Sequence, residues 1–134
     1  MAQSSRFVRR SPSKFRFDDA LKYYQQALKL AEEVGALQGK IVILVNIAGL
    51  FYKKRRFDDA LKHYQQALKI VKEQEDLQLK AEILFCMGVV LHGQGRFDDA
   101  LKHYQQALKL AEEVGDQDLL KVIQDSLKKI QSQI

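Results

Sequence analysis

The chain has 134 residues, enough for one domain with a sizeable core, and its single Pro, seven Gly and abundant Ala, Leu, Lys, Gln and Glu lean towards helix. Arg6, Arg9, Arg10, Lys14 and Arg16 place five positive charges and no acid in the first 16 residues, while the remaining 118 hold 17 basic and 17 acidic groups. The formal charge of +5 thus belongs to a leader, and the body carries no basic footprint for nucleic acid. One cysteine, Cys86, excludes a disulfide framework. No apolar run follows the basic N-terminus as in a secretory signal, and the apolar stretch 41–51 is far below the roughly 20 residues that span a bilayer. The expected location is cytoplasmic.

In chain order, residues 1–15 read as a basic, disordered tail, because Ser4, Ser5, Ser11, Pro12 and Ser13 oppose a helix there. A block RFDDALKYYQQALK opens at Arg16, and RFDDALKHYQQALK opens at Arg56 and again at Arg96, a spacing of 40 residues that differs only at Tyr23, His63 and His103. A fixed period of this size signals stacked helical units, none able to bury its apolar face alone. Phe17, Ala20, Leu21, Tyr24, Ala27, Leu28 and Ala31 recur at helical spacing opposite Asp18, Lys22, Gln25, Lys29 and Glu32. Asp18 and Asp19 suit the first turn, and Gly35 and Gly115 suit a C-terminal stop. The blocks therefore predict amphipathic helices within 16–35, 56–75 and 96–115.

Between them lie two unlike, apolar segments, expected to be helices over about 37–54 and 78–93. Their small residues Ala48 and Gly88 mark the closest approach of two antiparallel helices, and the turns at Lys54–Arg55 and Gln94–Gly95 are short enough to enforce hairpins. After Asp116, Leu119, Leu120, Ile123, Leu127 and Ile130 alternate with Lys121, Gln124, Asp125, Lys128 and Lys129, as expected of a polar-faced capping helix over 117–132. The fold class is all-α: antiparallel helix-turn-helix repeats over 16–134, two complete hairpins with an orphan helix before them and a cap after.

The run Ala48, Phe51, Phe57, Ala60, Tyr64, Ala67, Leu68 and its copy Gly88, Leu91, Phe97, Ala100, Tyr104, Ala107, Leu108 resemble the tetratricopeptide repeat pattern. The 40-residue unit looks like that of spindle-orientation and G-protein-regulator adaptors. Leu44 and Leu84 stand where the family usually has Trp, and its frequent Pro after the second helix is missing. The resemblance implies a short right-handed superhelical solenoid. Near-identical second helices beside divergent first helices also read as consensus engineering or very recent duplication.

No residue set converges on chemistry. His63 and His103 replace Tyr23 by repetition and have no His or Cys at i+3 or i+4, so no metal ligation is expected. Cys86 lies in an apolar run without a nearby His–acid pair and reads as structural. The recurring Asp pairs are helix-start electrostatics rather than catalytic dyads, and Gly93-Gln94-Gly95 lacks the Lys-Ser/Thr of a phosphate loop. No enzyme activity, cofactor or metal is expected. Lys53-Lys54-Arg55-Arg56 is a basic cluster in a turn, read as solvated, with an acidic partner or phosphate as the alternative.

The first helices are apolar almost all round, so each should be covered on more than one side. The resemblance implies that one side lines a concave peptide groove. By register this is Val42, Val45, Asn46, Gly49, Tyr52 and Lys53, joined by Glu82, Phe85, Cys86, Val89 and His92. Val45, Phe85 and Val89 are expected to project away from their hairpin partners. Family members that clamp a C-terminal carboxylate use Lys, Asn and Arg at such positions, and here only Asn46 matches. The expected partner is a protein or peptide. The alternatives are self-association into a homodimer or higher oligomer through the same apolar surface, as in an engineered repeat scaffold, and nucleic-acid or membrane-surface binding through the basic tail.

Overall fold

A computed structural model describes residues 13–134, which fold into six helices joined by short turns. They are α1 (Ser13–Val34), α2 (Leu37–Lys53), α3 (Phe57–Gln74), α4 (Leu77–Gly93), α5 (Phe97–Val114) and α6 (Gln117–Gln131). Each packs on its neighbour in the chain, and α4 also touches α6. Helices α2–α3 and α4–α5 are the two hairpins, α1 precedes them and α6 follows. No described helix is long and apolar enough to cross a membrane.

The leader expected over 1–15 lies outside the described residues except for its last three, which open α1. Ser13 was expected to oppose helix; serine is instead a favoured residue at helix starts. The earlier start has a second consequence. Asp18 and Asp19 stand one turn inside α1, whose first turn has no acid, whereas Asp58, Asp59, Asp98 and Asp99 do occupy the first turns of α3 and α5. Only in those two helices do the repeated Asp pairs lie at the positive end of the helix.

The turns share one construction. Behind α2 the Arg56 N–H donates to the Phe51 carbonyl (2.9 Å) and the Arg55 N–H to Tyr52 (2.9 Å). Behind α4, Arg96 and Gly95 make the matching bonds to Leu91 and His92, both 3.0 Å. This pairing puts one residue per turn in the left-handed region, where glycine carries no Cβ penalty. Gly35, Gly95 and Gly115 occupy it at φ 71°, 77° and 73°, but Arg55 and Glu75 do so at 59° and 57°.

The starts of the first helices differ too. The Asp76 and Asp116 carboxylates accept from the Leu79 and Leu119 N–H groups, at 3.0 and 3.1 Å, whereas α2 begins after Ala36 with no side-chain cap. The Leu119 N–H and, next, the Gln78 side chain hold the Asp116 carboxyl below its ordinary range.

The core is a continuous seam along the stack: Ile41, Leu44, Ile47 and Phe51 against Ala60, Tyr64 and Val71, then Ile83, Leu84, Met87 and Leu91 against Ala100, Tyr104 and Ala111, closed by Ile123 and Ile130. Gly88 does what its register predicts. A Cβ there would stand 2.7 Å from the Tyr104 ring, so this crossing admits no side chain.

Candidate functional site

The buried residues of α2 and α4 fall on the faces turned to α1, α3 and α5, and none of the eleven residues assigned to the groove is among them. Along α2, Val42 is 55% exposed, Asn46 and Lys53 are exposed, and Val45, Gly49 and Tyr52 are half-buried. A Cβ on Gly49 would meet nothing within 4 Å, so the backbone there faces open space. Along α4, Glu82 is exposed, and Phe85, Cys86, Val89 and His92 are half-buried. A helix whose apolar residues continue past its packed face leaves apolar surface in water, and Val42, Val45 and Val89 do so here.

Phe85 departs from its expected direction. Its ring lies 5.7 Å from Tyr104 on α5, its own hairpin partner, instead of projecting away from it. Gly88 is the cause: with no Cβ one turn further along α4, the Tyr104 ring rises into the crossing and Phe85 closes over it. Phe85 therefore forms the floor of the exposed face more than its wall.

Polar groups are embedded in the same face. The Tyr104 hydroxyl and His92 Nδ1 are hydrogen-bonded at 3.2 Å, and His92 Nε2 is hydrogen-bonded to the Gln133 side-chain oxygen. Burial pushes the Tyr104 hydroxyl up to about 12 and raises Tyr64 further, with the neighbouring Cys86 adding to the latter. Burial likewise pushes the Cys86 thiol up, partly offset by its hydrogen bond with Tyr64. A raised thiol is a poor nucleophile at neutral pH, so Cys86 contributes shape and a weak polar contact.

His63 and His103 are half-buried on the second helices, where each Nδ1–H donates to the carbonyl four residues earlier, Asp59 at 2.8 Å and Asp99 at 2.9 Å. Among the described residues no group of three or more His, Cys, Asp or Glu side chains could hold a metal ion. A cleft of about 640 Å³ is lined by Val71, Lys72, Glu75, Asp76, Leu77 and Lys80 and includes no groove residue. Sequence reasoning missed the Asp76 and Asp116 caps, although an Asp three residues before a Leu at each helix start was the available signal. It also missed the Tyr104–His92–Gln133 chain, whose members are far apart in sequence.

The hairpin geometry, the small residue at the crossing and the aromatic stack beneath it agree with an independent comparison: the tetratricopeptide repeat family matches residues 14–73 and again 81–114. The chain belongs to the tetratricopeptide repeat family. Proteins of this family are generally non-catalytic scaffolds for protein–protein interaction.

Among curated proteins none matches it. Among solved structures it is similar to BtubC (BKLC) from P. vanneervenii, with a TM-score of 0.64 and 22% identity over 87% of this chain and 57% of that one. It also resembles the apo form of RapI, with a TM-score of 0.78 and 18% identity over 97% and 53%. A third similar structure is aspartyl phosphate phosphatase F from Bacillus subtilis, with a TM-score of 0.70 and 21% identity over 98% and 35%. This tetratricopeptide repeat chain thus spans little more than half the length of the first two, and the likeness concerns the helical repeat fold.

Proposed function

We propose that the face of α2 and α4 bearing Val42, Val45, Asn46, Gly49 and Val89 is a concave groove that binds a peptide or helix of a partner protein without catalysis. The observation that carries this reading is apolar surface left uncovered on helices whose opposite faces are fully packed. Dispersion and apolar burial would supply most of the affinity, with Glu82, Asn46 and Lys53 selecting among sequences at the rim. A single cysteine accords with a reducing, cytoplasmic setting.

The test is a displayed peptide library selected on the intact chain. Peptides bearing two or three apolar residues are expected, and Val42→Glu or Val45→Glu should weaken them at least tenfold while helical content is unchanged. Failure to select any peptide, or selected peptides indifferent to both variants, would remove this reading. Assembly of the chain with itself through this face would appear as a molar mass that rises with concentration and falls back in the same variants.

A further inference from the structure

A second surface lies at the other end of the stack. Between α1 and α2 is a cleft of about 480 Å³ lined by Arg16, Phe17, Ala20, Leu50, Lys53 and Lys54. The repeat supplies its own controls, since the same place recurs 40 and 80 residues later with the same Phe and Ala. At the second copy Ala60 and Val90 are fully buried, and the Tyr52 ring packs 5.8 Å from Phe57. At the third, the His92 ring stands edge-on to Phe97 at 5.5 Å. Both internal clefts are thus filled by an aromatic side chain from the preceding first helix. Among the described residues Phe17 receives no ring from a preceding helix; the Phe51 ring of α2 meets it edge-on at 5.7 Å, and Ala20 and Leu50 stay half-exposed.

The charge differs as sharply as the packing. Lys53 and Lys54 stand where the second copy has Gly93 and Gln94. Gln94 donates to Asp58 at 3.0 Å, a neutral link between repeats, whereas among the described residues neither Lys53 nor Lys54 has an ion pair. The Lys54 ammonium sits 5.5 Å above the Phe17 ring, at the mouth of the cleft.

We propose that this cleft binds an acidic peptide segment anchored by one aromatic side chain. The anchor takes the position that Tyr52 and His92 hold internally, and flanking carboxylates meet Lys53, Lys54 and Arg16. Charge complementarity selects this occupant over others. The chain's own leader carries Arg6, Arg9 and Arg10 with no acid, so it brings the wrong sign. The strongly exposed aromatic of a second copy, Tyr23 at 69%, is flanked by Lys22 and by a single face neighbour Asp19, not by an acidic run. A nucleic acid needs a basic track several phosphates long, and the cations lining this cleft number three.

The experiment titrates the full chain into a fluorescein-labelled peptide, Gly-Glu-Asp-Phe-Asp-Glu-Gly, and reads fluorescence anisotropy at moderate salt. Saturable binding is expected. It should weaken at least tenfold when the peptide's Phe is replaced by Ala, when the protein carries Lys54→Glu, and when Ala20→Phe fills the cleft. Circular dichroism should show helical content retained in both variants. Val42→Glu should leave this binding unchanged, which separates the site from the groove on α2 and α4. Absence of binding, indifference to Ala20→Phe and Lys54→Glu, or equal affinity for the Phe-free peptide or an oligothymidylate would overturn the proposal. The last two results would show a mere anion-attracting turn.

Discussion

Helices α1 and α5 share the same eighteen residues, Phe17–Val34 and Phe97–Val114, apart from Tyr23 against His103, yet their faces meet different fates. Ala100, Tyr104 and Ala107 are 0–1% exposed, packed beneath α4, whereas Ala20, Tyr24 and Ala27 are half-exposed and Leu30 is 60% exposed. Both segments are helical, because both carry the propensity and the stripe that helices need. Burial is decided elsewhere: among the described residues α4 lies in front of α5, and no helix precedes α1. One stretch of sequence is core in one place and available surface in the other, and a repeat protein gains binding surface wherever its period is interrupted.

Matched substitutions sharpen the contrast, and the largest effect belongs to a buried charge. Ala100→Asp should cost more than about 4 kcal/mol and leave little folded protein, because an unpaired carboxylate has no partner at that crossing. Ala20→Asp should cost less than about 1 kcal/mol, since water and Lys54 remain within reach. Denaturant midpoints of the two variants check this directly. Next in size, Tyr104→Ala should cost about 3–5 kcal/mol by emptying the space beneath Gly88, against about 1 kcal/mol for Tyr24→Ala.

The same phenol gives a pH signature. Tyr104 ionises at about 12 in the folded chain and near 10 when unfolded, so above pH 10 the unfolded state loses its proton first. Its contribution is complete below pH 10 and is lost as the pH rises towards 12, so stability should fall across that window. Tyr104→Phe should flatten the fall measured by denaturant titration.

The smallest effects compare the two hairpins. Arg55→Gly and Glu75→Gly should each stabilise by about 1 kcal/mol, because the native φ at both positions suits glycine. Gly95→Arg and Gly115→Glu should destabilise by a similar amount. Equal midpoints for all four would mean that the turns relax without cost.

Much of the fold was legible because the sequence repeats. The period gave every helix to within a few residues, and Gly88 declared a tight crossing through the absence of a side chain. The turn positions of Arg55 and Glu75 were not legible, since neither residue advertises a left-handed conformation. Only superposing them on Gly95, Gly35 and Gly115 reveals it. The proposed groove could be written from the sequence as a register, but not as a set of side-chain directions. Helical spacing placed Phe85 on the exposed face, but the gap above Gly88 turned its ring towards Tyr104. The open face at Phe17 was legible as that of an orphan helix, whereas the lysines at its mouth, Lys53 and Lys54, were read only as a solvated turn.

Thiol reactivity tests most directly the claim that identical stripes differ only in what covers them. In a Cys86→Ser background, Ala20→Cys and Ala100→Cys place one thiol at equivalent points of α1 and α5. The thiol at position 20 should react with a disulfide reagent nearly as fast as a free peptide thiol. That at position 100 should be slower by roughly a hundredfold or more, because it needs local opening of the α4–α5 hairpin. Equal and strong protection at both positions would show that α1 is covered after all, and would contradict the account.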